Sequence, residues 1–215
     1  MTTLILAAAS RTASWTPVAI VTVCALLFTV GSFWWINARQ GKLQLYEPHS
    51  FAACANQQKT LLRLPLVMYN TGAKPIIVQD LRLRFPDEPG ALMPLPWRTS
   101  RAKLMPASDD GHLLPSVFSV AGREAEQIFI EFGAPFPGFV PEARDYRIRI
   151  EARLGHRKDW TSVLTFTWRA AHMWAPTSYI AYSNSPQDLT REDVEKADAA
   201  LKILATKVKA TERGE

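Results

Sequence analysis

The stretch "YRIRIEARL", residues 146–154, decides the fold class because apolar and polar side chains alternate along its whole length. In a β-strand, successive side chains point to opposite faces, so an alternation of period two collects the apolar members on one face. These members are Tyr146, Ile148, Ile150, Ala152 and Leu154. The other face carries Arg147, Arg149, Glu151 and Arg153. A strand with one face on a core and one in water is typical of an antiparallel sheet.

The same alternation recurs through residues 43–170. The segments that show it are "LQLYE" (43–47), "LLRLPLVMY" (61–69), "LRLRF" (81–85), "SVFSV" (116–120), "QIFIEF" (127–132) and "VLTFTW" (163–168). Pro65 predicts an edge position or a gap in the hydrogen-bonded ladder, because proline has no N–H to donate. Asn70 and Gly72 predict a turn, with Gly72 free to take a positive φ.

Seven or eight short strands with no helix between them predict a mainly β domain over residues 43–170. The proline- and glycine-rich stretches 86–90 and 134–145 predict loops between strands. The expected architecture is an antiparallel β-sandwich of immunoglobulin-like type, built from two packed sheets. The Cys…Trp…Cys core of antibody domains is absent from the sequence, so a true antibody-type domain is not predicted.

A different segment precedes this domain: residues 12–38 contain no charged side chain, and "PVAIVTVCALLFTVGSFWWI" (17–36) is almost wholly apolar. About 20 apolar residues cross the hydrocarbon layer of a bilayer as a helix, so residues 15–38 are predicted to form a transmembrane helix. Indole rings and basic side chains favour the two interfaces of a bilayer. The predicted interface residues are Trp15, Trp34, Trp35, Arg39 and Lys42.

Two alternatives to a membrane anchor are a buried core helix and a cleaved signal peptide. A core helix of this length normally carries charge, and a signal peptide has a basic start and small residues at its cleavage site. Residues 1–10 lack charged side chains, and bulky rings follow the apolar run. We therefore expect an uncleaved, single-pass anchor in the plasma membrane, preceded by a disordered tail at 1–14. Basic residues flank both ends, so the sequence does not predict which side holds the domain.

The C-terminal region is predicted to be a linker at 171–188 and an amphipathic helix at 189–213. Thr190 and Asp193 have the spacing of a helix cap, and acidic residues precede basic ones, as the helix dipole favours. Apolar residues spaced three and four apart form a narrow seam: Val194, Ala197, Leu201, Leu204 and Val208. This seam suits either docking on the β-domain or self-association as a short coiled coil.

Three segments carry a resemblance to a known group of proteins: "SWTPVAIV", "FWWINARQGKL" and "LRLPLVMYNTGAKPIIVQDLRL". With them, residues 14–170 resemble small actinobacterial single-pass membrane proteins of unassigned function. The resemblance implies a single anchor before a β-rich domain with an N-T-G-A turn, and it brings no catalytic residues.

Few residues in the sequence have the spacing of a chemical site. The histidines at 49, 112, 156 and 172 lack metal-ligand spacing, and neither a nucleophile elbow nor a phosphate-binding loop is present. The best local cluster is Asp109, Asp110 and His112, although Asp-Asp-Gly is first a turn sequence. We expect no cofactor and no metal site, and two free thiols at Cys24 and Cys54.

The net charge of +5 and the isoelectric point near 9.4 raise the question of an anionic partner. The basic residues alternate along strands instead of clustering, so nucleic acid is not expected. They could instead form a positive sheet face toward anionic lipid headgroups or another anion, with these members: Arg82, Arg84, Arg147, Arg149 and Arg153.

Together these features predict a membrane-anchored, non-catalytic interaction or accessory module built on a β-sandwich, with the bilayer and a protein partner or second copy as partners. The alternative is a membrane-tethered ligand- or metal-binding sensor, or an enzyme, whose site is built from loops near Asp109, Asp110 and His112.

Overall fold

The structure is a computed structural model. It describes residues 15–56, 59–91, 93–107, 109–134, 140–155, 157–187 and 189–212. The predicted tail at 1–14 lies outside this part of the chain. The chain divides after Arg39 into two compact units, an N-terminal helix and a β-domain.

The N-terminal unit is the helix α1, Trp15–Asn37. Its 23 residues span about 34 Å at 1.5 Å per residue, and its mean hydropathy is 2.0 over Pro17–Asn37. At the end of the helix, the side-chain amide of Asn37 donates to the Phe33 carbonyl at 3.1 Å, and the Arg39 N–H donates to the Trp34 carbonyl. α1 is long and apolar enough to cross a membrane. Its bounds agree with the predicted helix at 15–38 to within one residue.

The β-domain is built from short strands that are all antiparallel. In chain order they are β1 (Leu43–Leu45), β2 (Ser50–Ala55), β3 (Thr60–Asn70), β4 (Ile76–Arg84), β5 (Leu95–Arg101), β6 (His112–Leu113), β7 (Phe118–Val120), β8 (Ala125–Ala134), β9 (Asp145–Leu154), β10 (Trp160–Arg169) and β11 (Ile180–Ser183). A mainly β domain is therefore confirmed.

These strands form one curled sheet, in the order β10-β9-β4-β5-β8-β3-β2-β11. The three shortest strands lie beside this path, with β1 on β3, β6 on β5 and β7 on β4. β5 is the hinge of the curl: Leu95 and Pro96 pair with β4, whereas residues 97–101 pair with β8. The predicted sandwich has two separate sheets, whereas here one hydrogen-bonded path runs from β10 to β11.

The alternation in sequence does set which faces are buried. All five predicted inward residues of β9 are buried, and the inward residues 62, 64, 66 and 68 of β3 are fully buried. Pro65 falls between the part of β3 that pairs with β2, residues 60–63, and the part that pairs with β1, residues 68–70. The gap predicted from the missing proline N–H is therefore confirmed.

The two ends of the sheet meet through an aromatic core and one asparagine. Trp168 on β10 packs edge-on against Phe51 on β2, with ring centroids 5.8 Å apart. The buried Asn184 side chain, just after β11, accepts from the Arg169 N–H at 2.9 Å and donates to the Thr167 carbonyl at 3.0 Å. These bonds join the residues after one end strand to the other end strand, β10.

Residues 171–188, predicted to be a linker, contain part of the fold. A short 3-10 turn, Ala170–His172, follows β10, and β11 then pairs with β2 through four residue pairs. The linker prediction is wrong for these residues. The sequence signal is weak there because β11 has only four residues and its partner lies about 130 residues earlier in the chain.

The C-terminal helix α2 occupies Arg191–Glu212, within the predicted 189–213. Its cap is reciprocal: the Thr190 N–H donates to the Asp193 carboxylate at 3.0 Å, and the Asp193 N–H donates to the Thr190 hydroxyl at 3.3 Å. Lys196 pairs with Glu192 one turn away at 2.7 Å. The predicted cap is confirmed.

The chain enters the β-domain through a tight crossing at the β3–β4 turn. The Lys42 N–H donates to the Thr71 hydroxyl at 2.9 Å, and the Thr71 N–H donates to the Lys42 carbonyl at 3.1 Å. The buried Asn70 amide shapes the turn by accepting from the Gly72 N–H at 2.9 Å and donating to the Lys74 carbonyl at 2.8 Å. A Cβ on Gly72 would lie 2.0 Å from the Gly41 backbone nitrogen, so contact with Gly41 makes glycine necessary here.

Replacing Gly72 by alanine should therefore destabilise the β-domain by about 1–3 kcal/mol, because the backbone of Gly41 has to move away. Gly90→Ala is the matched control, since a Cβ at Gly90 meets no atom within 4 Å. The measurement is urea unfolding of the full-length chain in a mild detergent, followed by tryptophan fluorescence. Equal midpoints for the two variants would contradict the crossing.

Candidate functional site

The β-domain buries a cluster of polar side chains around Arg63, which lies on the face of β3 opposite the core leucines. Arg63 is 1% exposed. Its Nη1 atom is 2.7 Å from the Asp110 carboxylate, and its Nη2 atom is 3.3 Å from that of Glu131. Nη1 also donates to the Lys103 carbonyl at 2.8 Å, so the guanidinium holds the segment after β5 against β3.

Glu131 stands directly opposite Arg63 in the pairing of β3 with β8. The Tyr179 hydroxyl donates to its carboxylate at 2.5 Å and accepts from Arg63 Nε at 3.1 Å. The Arg101 Nε atom lies 3.6 Å from the same carboxylate. Burial, followed by the hydrogen bond and the charge of Glu131, raises the pKa of Tyr179 above its ordinary value. These four residues, together with Asp110, are called the Arg63 cluster.

The Arg63 cluster is balanced in charge, with two arginines against two carboxylates. A buried charge is tolerated when it is paired and hydrogen-bonded, and removing one partner then leaves the other uncompensated. The cluster fixes Lys103, Asp110 and Tyr179 onto the outer side of β3 and β8. Its arrangement explains how a loop and a late segment of the chain are held to the sheet.

In the structure, the three residues of the predicted loop site lie in different surroundings. Asp110 is buried against Arg63, whereas Asp109 has a 75% exposed side chain and pairs with Lys103 at 3.8 Å. His112 is exposed on β6. Within the described ranges, no group of three His, Cys, Asp or Glu side chains stands close enough to hold a metal ion.

Cys54 is buried on β2, and its thiol donates to the Thr177 carbonyl at 3.3 Å. Burial raises the pKa of this thiol, which disfavours the thiolate that a nucleophile needs. Cys24 lies in α1 and is exposed, so both thiols are free. The geometry of Cys54 is that of a small core residue.

The predicted positive face forms on β4 and β9, but it is divided. Arg82 pairs with Glu151 at 2.6 Å, and Arg153 pairs with Asp80 at 3.7 Å. Farther along the same strands, Arg84 stands directly opposite Arg149. Only part of the face therefore keeps an uncompensated positive charge.

The seam of α2 is half-buried at its beginning and exposed farther on. Val194 is half-buried and lines a surface depression with Trp174, Tyr182 and Leu189. Leu201 and Leu204 are 62% and 57% exposed, and Ala197 is exposed as well. The side chain of Val208 lies outside the described part of the helix. Docking therefore involves the first turn of α2, and the next two turns present their apolar side chains to solvent.

The predicted interface residues lie at the two ends of α1 and just after the helix. Trp34 and Trp35 are each 54% exposed, and the Arg39 guanidinium stacks 4.0 Å from the Trp35 ring. Lys42 belongs to the β-domain, where its backbone bonds to Thr71. Trp15 begins the helix, and its side chain is not among those described.

Sequence reasoning did not identify Arg63, Glu131, Tyr179 or Asn184. A signal for the first two was present, since Arg63 is the single charge in "LLRLPLVM" and Glu131 the single charge in "QIFIEF". Two lone charges of opposite sign inside apolar strands predict a buried pair, because charged residues are rarely buried alone. Tyr179 and Asn184 carry no comparable pattern.

No family model matches the chain, and no curated protein matches it. Solved structures similar to it include a protein from Archaeoglobus fulgidus, with a TM-score of 0.32 and 11% identity over 66% of this chain and 98% of that one. YcdA, a proposed lipoprotein of Bacillus subtilis, has a TM-score of 0.35 and 11% identity over 62% and 38% of the two chains. Beta-glucosidase 3B from Thermotoga neapolitana has a TM-score of 0.24 and 11% identity over 66% and 17%. At these TM-scores none of them supports a family or an activity.

We expect Arg63→Met to destabilise the β-domain by about 3–5 kcal/mol, because Asp110 and Glu131 would stay buried without their cation. Lys103→Met is the matched control in the same cluster region. Its ion pair with Asp109 is exposed, so the expected change is below about 1 kcal/mol. Urea unfolding of the full-length chain in detergent measures both. A small effect of Arg63→Met would contradict a tightly paired cluster.

Tyr179 also predicts a dependence of stability on pH. Its pKa is raised in the folded chain, whereas in the unfolded chain it is about 10. Above that pH the unfolded chain releases this proton first, so the stability that Tyr179 contributes declines as the pH rises. Tyr179→Phe should show a shallower loss of unfolding free energy above pH 10, by up to about 1.4 kcal/mol per pH unit. Urea midpoints across alkaline pH test this, and identical slopes would refute it.

Proposed function

We propose that this chain is a single-pass plasma-membrane protein whose β-domain serves as a non-catalytic interaction or accessory module. The observation that carries the proposal is the exposed apolar seam of α2. Leu201 and Leu204 are exposed, whereas the helix contacts the β-domain at the 3-10 turn after β10. An amphipathic helix with an uncovered apolar face is a common element of protein recognition.

The membrane location is supported by α1. Its apolar side chains surround the whole helix and are exposed, an arrangement that suits a helix surrounded by lipid. Trp34, Trp35 and Arg39 then fit one interface of the bilayer, with Arg39 and Lys42 near anionic headgroups. The scaffold we propose for the module is the immunoglobulin-like sandwich, supported by the way in which β5 joins two halves of the sheet around one core.

A non-catalytic role is supported by how the reactive groups are used. Asp110 is bound to Arg63, the Tyr179 hydroxyl donates to Glu131, and the Cys54 thiol is buried. Each of these contacts stabilises the fold. Within the described ranges, Asp109, Asp110 and His112 do not form a group that could hold a metal ion.

A second copy of the chain fits the seam of α2. Its apolar residues step by three and four, the spacing of a coiled-coil seam. A seam of fewer than three heptads is marginal between free molecules. Anchoring two copies in one membrane raises their effective concentration, which allows a weak seam to associate.

Leu201→Lys should therefore reduce self-association in a membrane, because a charge then faces the seam of the second copy. Ala199→Lys is the control, since residue 199 lies on the opposite face of the helix. We would label the full-length chain at its C-terminus, reconstitute it in phosphatidylcholine vesicles, and measure resonance energy transfer against protein density. Wild type and Ala199→Lys should show equal transfer and Leu201→Lys markedly less. If the three proteins behaved alike, the seam would not be an interaction surface.

A further inference from the structure

The outer face of β4, β9 and β10 is divided into a neutral half and a positive half. In the neutral half each arginine has a carboxylate, Glu151 for Arg82 and Asp80 for Arg153. Both guanidiniums also lie over the ring of Trp160, at 4.1 and 5.8 Å. This half is closed by contacts within the chain.

The positive half consists of Arg84, Arg147 and Arg149, which are called the arginine face. Arg84 and Arg149 are direct cross-strand neighbours, and Arg147 lies two residues along β9 on the same side. The structure shows no ion pair between these three and any described carboxylate. Like charges placed directly opposite each other in a sheet are destabilising, so this arrangement reduces stability without a compensating ion pair among the described residues.

Two acidic side chains near this face are already engaged. Glu88 pairs with Arg144 at 2.7 Å, and Asp145 pairs with Arg169 at 2.7 Å. On the neighbouring strand β10, the residues opposite Arg149 and Arg147 are Thr165 and Thr167, which offer hydroxyl groups without charge. The arginine face therefore combines three cations with neutral hydrogen-bonding neighbours.

A depression adjoins this face. Arg84 and Arg149 line it together with Phe85, Pro86 and Ala91, and its volume is about 390 Å³. Glu88 and Pro89 complete its rim. Such a volume suits a small ligand, and its lining offers guanidinium groups together with apolar atoms.

From this arrangement we infer that the arginine face binds a phosphoryl group. Guanidinium groups match phosphate oxygens with paired N–H donors, and such charge-assisted hydrogen bonds are among the strongest in proteins. A phosphoryl group between Arg84, Arg147 and Arg149 offsets their mutual repulsion, which no described carboxylate does by an ion pair. The group is supplied either by a phospholipid headgroup or by a soluble phosphate compound.

The arginine face is separate from the basic residues beside the proposed anchor. Ile76, at the start of β4, lines a cavity with Gln40, the first residue of the β-domain. Arg84 ends the same strand eight residues later, about 26 Å away at 3.3 Å per residue. Phosphoryl binding at this face does not depend on self-association through α2, and the two are measured independently.

The experiment uses the full-length chain with two probes. In dodecyl maltoside micelles it is titrated with inorganic phosphate, and phosphorus NMR relaxation of the phosphate reports binding. In immobilised phosphatidylcholine nanodiscs it is tested for capture of vesicles containing phosphatidylglycerol. Binding in the first assay alone indicates a soluble phosphate compound, and capture in the second alone indicates a lipid headgroup. The absence of binding in both assays overturns the inference.

Arg149→Gln should weaken whichever binding is seen by about tenfold, the effect of losing one charge-assisted hydrogen bond. Arg153→Gln is the matched control, because it removes the same charge from the same face of β9. If it weakens binding equally, general charge attraction explains the result and the inference fails. The unfolding midpoint of Arg149→Gln should equal or exceed that of wild type, since repulsion is relieved. A lowered midpoint would show a structural role and also overturn the inference. Arg147→Gln repeats the test at a second position.

Discussion

The whole β-domain depends on one constraint: a single curled sheet has to cover its own apolar face. Because the described residues contain neither a second sheet nor a layer of helices over this face, the end strands β10 and β11 must approach each other closely enough to exclude water from the core. Trp168 provides the apolar contact between the two ends, and Asn184 supplies the polar one. The asparagine satisfies backbone groups that the two strands cannot satisfy directly, because they are not hydrogen-bonded neighbours.

The same constraint explains where the polar interior lies. Curling the sheet places the middle of β3 under the segment that follows β5, so its outer side is covered as well as its inner side. A strand that is covered on both faces cannot leave its polar side chains in water. Arg63 and Glu131 meet this condition by pairing with each other and with neighbours from two later parts of the chain. They hold the covering segment in place at the same time.

The local features of this fold could be predicted from sequence, whereas the features that depend on distant contacts could not. The faces of β3 and β9, the gap at Pro65, the cap of α2 and the extent of α1 follow from periodicity and from the chemistry of single residues. The prediction of a turn at Gly72 was correct, but glycine is required there because of its contact with Gly41. A linear sequence pattern does not reveal that contact. β11 was not predicted for the same reason, because its four residues form a strand only by pairing with β2.

The candidate sites follow the same division. The positive face and the seam of α2 were visible as patterns in the sequence, since each belongs to one or two regular elements. Which arginines stay uncompensated was not visible, because it depends on the register of β4 against β9 and on which carboxylate each one meets. The loop site at Asp109, Asp110 and His112 had the right residue types, but neighbouring positions in a chain do not ensure convergent side chains.

The crossing of Gly41 over Gly72 has a mechanical consequence. Because α1 ends at Asn37 and Gly41 is locked into the β-domain, three residues connect the two elements, and the N–H groups of Ala38 and Arg39 still donate to the Trp34 carbonyl. In the proposed membrane setting, anchoring by α1 confines every copy of the chain to the thin layer of one membrane. A partner must therefore come to that layer, and copies of the chain would meet one another as on a surface and not as in a volume.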